Sequence, residues 1–340
     1  MVRLAAARMR AFVVQRPRLH ALSAERQLLL LLTIHVLLWT WIGWSSRSNL
    51  DAAGDMAEAY AWSQGWQWGY HKHPPLSAWV VGLWFSVVPE SQLGYSALSA
   101  LNAAVGLAGL ALLAREFLPR HWVLLCVAAA SLTPGITTLA MRFNANAVLI
   151  STWPWAMALF VRLMQHNRRL DALLCGLVCA LALLGKYYSA VLLCTLLACS
   201  AIVPAWRQRW RMPAPWWALG IFLVAIAPHG LWLLAQTEGP LQYAAQATVH
   251  DQPGAALMRA LHFALAQWVF PLLAFLLLWC SLAGPARRQA WWQAVTGVVR
   301  PRWEAPWLLA MVPIIASGPT SVAPTASTSV VAARHASAWL

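Results

Sequence analysis

Leu76-Ser-Ala-Trp-Val-Val-Gly-Leu-Trp-Phe-Ser-Val-Val88 decides how the rest of the chain is threaded. The stretch is apolar from end to end. A helix needs about 20 such residues to cross about 30 Å of hydrocarbon, so it is short for a span. Length alone does not decide, because the apolar runs 171–185 and 305–318 are short too. Charge does. If 76–88 lies in the interface, the inner loops collect 18 of the 24 Lys and Arg residues. These are the arm with Arg3, Arg8, Arg10, Arg16, Arg18 and Arg26, then Arg115/Arg120, Arg162/Arg168/Arg169, Arg207/Arg209/Arg211 and Arg287/Arg288/Arg300/Arg302. If it spans, every later loop flips and the inner count falls to 10 against 14. Only the first arrangement obeys the positive-inside bias. The stretch is therefore expected to be an interfacial helix on the outer face.

The spans expected around it are 27–44, 92–113, 121–140, 147–164, 171–185, 188–205, 216–236, 263–283 and 305–318. The fold expected is an all-α integral membrane protein, a helical bundle of about nine spans. Composition demands a membrane. Hydrophobic residues are 61% of the 340 and charged residues 10%, against roughly 45–50% and about 25% in soluble domains. The net charge of +14 is not read as a nucleic-acid surface, because the basic residues sit between apolar runs instead of on a soluble face. Residues 1–26 are expected to be a cytoplasmic arm before an uncleaved signal-anchor. Residues 27–317 form the membrane domain, with 45–91 as its first outer loop. The tail 318–340 is of low complexity and is read as a truncated or disordered end. No repeat of 20–50 residues is visible.

This threading gathers polar groups on the outer face. Six of the ten acids fall there: Asp51, Asp55, Glu58, Glu90, Glu238 and Asp251. So do both lysines, Lys72 and Lys186, in a chain with 22 Arg. A lysine-poor composition would leave two survivors anywhere, so this is suggestive only in company. The first outer loop provides that company. Asp55, Glu58 and Trp62 stand at i, i+3 and i+7 and share a helix face. Asp55 falls near the helix N-terminus, where the dipole favours a carboxylate. Such a carboxylate can serve as a general base. The plain alternative is a pair of acids solvating a loop.

The same loop crowds Trp62, Trp66 and Trp68 with Tyr70, His71, Lys72 and His73, and Trp79 and Trp84 follow. Indoles there form either an interface belt or a wall for the apolar face of a sugar. Pro74-Pro75 stiffens the exit and holds His73 out of the α region. Arg142-Phe143-Asn144-Ala145-Asn146 sits at a second outer boundary. Its Arg either snorkels to headgroups or, with two amides close by in sequence, holds a phosphate. Lys186-Tyr187 at a third boundary suits the same role. Glu238, Tyr243, His250, Asp251 and Arg259 in the last outer loop match no metal motif. The cysteines Cys126, Cys175, Cys179, Cys194, Cys199 and Cys280 lie in spans and read as packing residues. His35 and His229 read as satisfied structural histidines.

The order Gly54-Asp55-Met56-Ala57-Glu58, Trp62-Ser63-Gln64, Gly69-Tyr70-His71-Lys72-His73-Pro74-Pro75-Leu76, Arg142-Phe143-Asn144-Ala145-Asn146 and Leu184-Gly185-Lys186-Tyr187 resembles a known family. It is similar to the membrane-embedded glycosyltransferases of the protein-mannosyltransferase and aminoarabinose-transferase type, family 39 with the GT-C fold. The resemblance covers roughly residues 25–280, and Gly-Tyr-x-x-His-Pro-Pro-Leu is its most specific part. It implies a multi-span bundle with outer juxtamembrane helices and an active site in the first outer loop. It implies a polyprenyl-phosphate-linked sugar donor and a lipid, glycan or protein acceptor. The catalytic acid of the family's Asp-Glu pair falls on Asp55. Here Met56 takes the neighbouring position, and the second acid is displaced to Glu58. Some branches use a divalent metal, and no ligand set for one is evident here.

The function expected is hexosyl or pentosyl transfer, inverting, on the outer face of the plasma (inner) membrane, with Asp55 as general base. Lys72, His73, Arg142 and Lys186 are expected at the donor phosphate. Trp62, Tyr70, His71, Asn144, Asn146 and Tyr187 are expected to line the substrate site. Two other classes stay open. A lipid or sugar transporter would place its polar groups near the mid-bilayer and repeat its halves. A non-catalytic family member would bind donor without transfer.

Overall fold

The computed structural model describes residues 23–46, 50 and 54–236, with isolated positions 240, 258, 261, 262, 265 and 289. Ten helices appear among the described residues: α1 Ala24–Ser45, α2 Asp55–Ser63, α3 Leu76–Phe85, α4 Gln92–Arg115, α5 Arg120–Ala130, α6 Val148–His166, α7 Arg169–Gly185, α8 Ser189–Ile202, α9 Pro204–Arg209 and α10 Pro213–Leu234. Caps mark several ends. Ser23 Oγ accepts from the Arg26 amide and Ser91 Oγ from the Gly94 amide, which satisfies donors that a helix start leaves open. Asn167 ends α6 in the left-handed region at φ 54°. Apart from 23–26 and those isolated positions, the expected arm, the spans 263–283 and 305–318, the last outer loop and the tail lie outside the described residues.

The four helices α1, α4, α6 and α10 are long and apolar enough to cross a membrane. Helix α3 has ten residues, about 15 Å at 1.5 Å per residue, half the hydrocarbon thickness. Its neighbours explain why it need not cross. Gly43 near the end of α1 lies beside Ser96 near the start of α4. Leu28, Leu31 and Leu32 at the start of α1 pack with Leu107, Ala111 and Ala114 at the end of α4. The two helices are antiparallel, so α2 and α3, which stand between them in the chain, belong to one end of the bundle.

The return leg differs from expectation. The chain passes back between Glu116 and Phe143, where a span over 121–140 was expected, but the α-helix stops at Ala130. Residues 131–147 run as turns. Pro134 lacks an amide proton and disfavours helix in the residue before it, and Gly135 follows. Hydroxyls keep the backbone satisfied: Ser131 donates to Ala128 O, Thr133 to Ala130 O and Thr137 to Thr133 O. Such local repair is what non-helical backbone needs at membrane depth.

Helix α6 then runs parallel to α4. Asn102 Nδ2 donates to Ala147 O at 2.7 Å and Ser151 Oγ to Asn102 Oδ1 at 2.6 Å near one end. Arg162 meets Glu116 at the other. Helix α7 returns and α10 runs parallel to it. Gly176 is the point of closest approach, since a Cβ there would sit 2.2 Å from Ala218 O of α10. Backbone cannot yield cheaply, so Gly176→Val is expected to cost about 1–3 kcal/mol by overpacking. A fall in the detergent melting midpoint, with no such fall for Gly220→Ala on the open side of α10, checks this.

The two ends differ in charge. Among the described residues, Arg26, Arg115, Arg120, Arg162, Arg168, Arg169, Arg207, Arg209 and Arg211 cluster at the end where α4 and α6 finish. Lys72, Arg142 and Lys186 occupy the other end.

Candidate functional site

The site is built at the lysine-bearing end, on α2 and the loop that follows it. Asp55 opens α2 and Glu58 completes its first turn. Two tyrosines hold this helix in place. Tyr95 of α4, fully buried, donates toward Met56 O at 3.1 Å and Phe143 O at 3.2 Å. Tyr60 donates to Glu90 Oε2 at 2.7 Å. Burial and that carboxylate push the Tyr60 phenol up to about 12, so it remains a donor.

The loop 64–75 folds back over α2. Tyr70 stacks on Trp62 with ring centroids 4.9 Å apart and planes 6° apart, and its hydroxyl donates to Trp62 O at 2.9 Å and Gly65 O at 2.7 Å. Its amide donates to His73 O at 3.0 Å, closing a tight bend around His71 and Lys72. The bend delivers Lys72 Nζ to 3.6 Å from Asp55 Oδ1 and 3.3 Å from Glu58 Oε2. The face shared by Asp55, Glu58 and Trp62 is therefore the face turned to this loop. Trp62 also meets His73 edge-on at 6.0 Å.

Lys186 arrives from the elbow between α7 and α8. Its ammonium donates to Asn146 Oδ1. Burial lowers its pKa, Asp55 nearby opposes that, and Lys72 adds to it. The two lysines, Asp55 and His73 thus share one electrostatic neighbourhood. Tyr187, pushed up to about 12 by burial, directs its hydroxyl to His229 Nε2 at 3.0 Å.

Several expected residues take other places. His73 was expected as a phosphate cation, but burial, with Lys186 and Lys72 beside it, pushes its imidazole down to about 3. It is neutral at ordinary pH and can offer hydrogen bonds only. Arg142 lies at the same end with an exposed side chain, and among the described residues no hydrogen bond or ion pair links it to the acids and lysines. Asn144 Oδ1 accepts from the amides of Asn146 and Ala147 at 2.8 and 2.9 Å, so it shapes the turn into α6. His71 is exposed. The buried Nε2 of His35 has no hydrogen-bond partner among the described residues, contrary to the expectation of a satisfied histidine. His229 meets that expectation at both ring nitrogens. Cys175 and Cys179 are buried against one another at 4.0 Å, with Cys199 in the same core.

Among the described residues, no group of three His, Cys, Asp or Glu side chains is arranged to hold a metal ion. The acids near Lys72 are engaged by an ammonium, which is a poor start for a divalent site.

The neutral state of His73 has a measurable consequence. The unfolded chain binds a proton there near pH 6.5, while the folded protein resists until about 3. The stabilisation from this group is complete above about pH 6.5. It is lost as the pH falls toward 3, at up to about 1.4 kcal/mol per pH unit. His73→Asn is expected to flatten the fall of melting midpoint between pH 7 and 4.5. Parallel profiles for the two proteins would contradict the assignment.

No curated protein and no solved structure gives a significant match to the chain. Residues 72–232 match the family model described as dolichyl-phosphate-mannose-protein mannosyltransferase. The matched segment holds Lys72, Asn146, Lys186 and Tyr187, and Asp55 and Glu58 lie just ahead of it. With apolar helices of membrane-crossing length and this match, the chain is supported as a membrane glycosyltransferase of the GT-C type.

Proposed function

We propose that the protein transfers a sugar from a polyprenyl-phosphate donor to an acceptor hydroxyl, with inversion, on the outer face of the plasma membrane. The observation that carries this reading is the meeting of Asp55, Glu58, Lys72 and Lys186 at one end of the bundle. Among the described residues that end is poor in Arg and the other is rich in it, which by the positive-inside bias supports a non-cytosolic site end. The same reading puts the N-terminus in the cytoplasm.

In the proposed step the Asp55 carboxylate accepts the proton of the acceptor hydroxyl. The hydroxyl oxygen forms a bond to the anomeric carbon from the face opposite the lipid phosphate. The bond from that carbon to the phosphate oxygen breaks, and its electron pair leaves with the phosphate. A phosphate departs without being protonated, so one base suffices, unlike the paired carboxylates of glycoside hydrolysis. Lys72 and Lys186 stabilise the charge that grows on the departing group. Neutral His73 adds a hydrogen bond and no charge. Trp62, Tyr70, Asn146 and Tyr187 would border the sugar and acceptor, with the exposed His71 and Arg142 at the rim.

The test is reconstitution in proteoliposomes with radiolabelled polyprenyl-phosphate sugars, hexosyl and pentosyl. Consumption of one of them, with label passing to a hydroxyl-bearing acceptor, is the expected result. Donor binding with no transfer to any acceptor fraction would favour a non-catalytic role. Movement of intact donor across the bilayer would favour transport.

A further inference from the structure

We infer that His229 is a positioning residue, which clamps the loop bearing Lys72 to the elbow bearing Lys186 and so sets the spacing of the two lysines. His229 lies on α10, in an otherwise apolar helix, where a buried imidazole needs partners to offset its desolvation. Both partners come from the site. Its Nδ1 faces Trp68 O at 2.5 Å. A carbonyl only accepts, so Nδ1 carries the proton and donates, which leaves Nε2 bare. Tyr187, one residue after Lys186, donates to that nitrogen at 3.0 Å.

The rings reinforce the bonds. His229 stacks on Tyr187 with centroids 5.7 Å apart and planes at 28°. It also stacks on Trp232 at 5.7 Å and 19°. Trp232 in turn lies against Gly69, where a Cβ would come within 2.3 Å of the indole. Only glycine lets the loop backbone lie this close. From Trp68 and Gly69 the order passes directly into the bend: Tyr70 is held by its stacking on Trp62 and by two hydrogen bonds, and Lys72 follows two residues later. One imidazole thus joins three separate stretches of chain.

This inference rests on the proposed function for its effect on activity, but the clamp itself is testable without it. His229→Phe keeps a ring to stack and removes both hydrogen bonds. Hydrogen–deuterium exchange on the full chain in nanodiscs is expected to speed up about tenfold in peptides covering 64–72. That is the change for roughly one net hydrogen bond lost. His229→Asn, which can still donate to Trp68 O, is expected to recover part of the protection. In the transfer assay, His229→Phe is expected to raise the donor KM about tenfold while kcat changes less than about threefold. Unchanged exchange in 64–72 would overturn the clamp whatever the activity. A fall in kcat at constant KM would overturn the positioning role. If the wild type turned over no lipid-phosphate sugar while the exchange result held, the functional reading would fail and the clamp would stand. Should His229→Phe not fold, Tyr187→Phe breaks one of the same bonds from the other side and is read by exchange in the same peptides.

Discussion

Asp55→Asn is expected to lower sugar transfer by 10²–10⁴-fold, the usual worth of a general base, which corresponds to roughly 3–5 kcal/mol of transition-state stabilisation. The substitution keeps the size of the side chain and removes the basic oxygen. It should leave the architecture intact, because Glu58 still holds Lys72 at 3.3 Å and Tyr95 still ties α2 to the turn at Phe143. The loss should therefore appear in kcat, with donor KM little changed. Glu58→Gln should cost less. Glu58 lies deeper than Asp55, with side-chain exposures of 21% and 43%, so Asp55 is the carboxylate that an acceptor can reach. Initial rates with saturating donor decide between them. An Asp55→Asn protein of full activity, or a larger loss in Glu58→Gln, would reassign the base.

The second large effect is expected at the opposite end of the bundle. Arg162 of α6 bridges Glu116 at 3.1 Å and Asp171 at 3.0 Å, and His166 adds a contact to Glu116 at 2.8 Å. The carboxylates are almost fully covered, at 9% and 5% exposure. Arg162→Leu would strand two buried charges, and breaking such a pair from one side costs about 3–5 kcal/mol. Arg162→Lys keeps the charge but loses the fork that engages both acids, so an intermediate loss is expected. Replacing all three with apolar residues of similar volume should recover much of the stability. Melting midpoints in detergent measure the series. A Leu variant as stable as the wild type would show that the network contributes nothing to the fold. Transfer activity should follow stability here, because this network makes no contact with the site.

How much of this was legible in the sequence depended on range. That 76–88 does not cross was readable because the charge bias is a sum over the whole chain, and the antiparallel packing of α1 on α4 puts α3 at one end of the bundle; which face that end meets stays a proposal. Asp55, Glu58 and Trp62 shared the expected face because helical periodicity is local. The span at 121–140 was misjudged at its second half. Its apolar content marked a crossing, but Pro134-Gly135 ended the helix and nearby hydroxyls took over the backbone bonds. Asn144 has its own local use, capping the turn two and three residues on, which a pair of amides following an Arg conceals. His73 looked like a cation in a basic run. Its neutrality comes from burial beside Lys186, a neighbour 113 positions away. His229 was rightly read as satisfied, but its partners were beyond reach for the same reason, since they lie 42 and 161 positions away. A Pro-His pair within an apolar helix was the one available signal.

The central claim is that the acids and both lysines face one non-cytosolic pocket. Single cysteines at positions 55 and 186, in a background with the native cysteines replaced, can be probed in intact cells with a membrane-impermeant maleimide. Both positions are predicted to be labelled from outside, and each should be protected by added polyprenyl phosphate. Labelling of the two from opposite sides of the membrane, or of both from the cytosolic side only, would contradict the account.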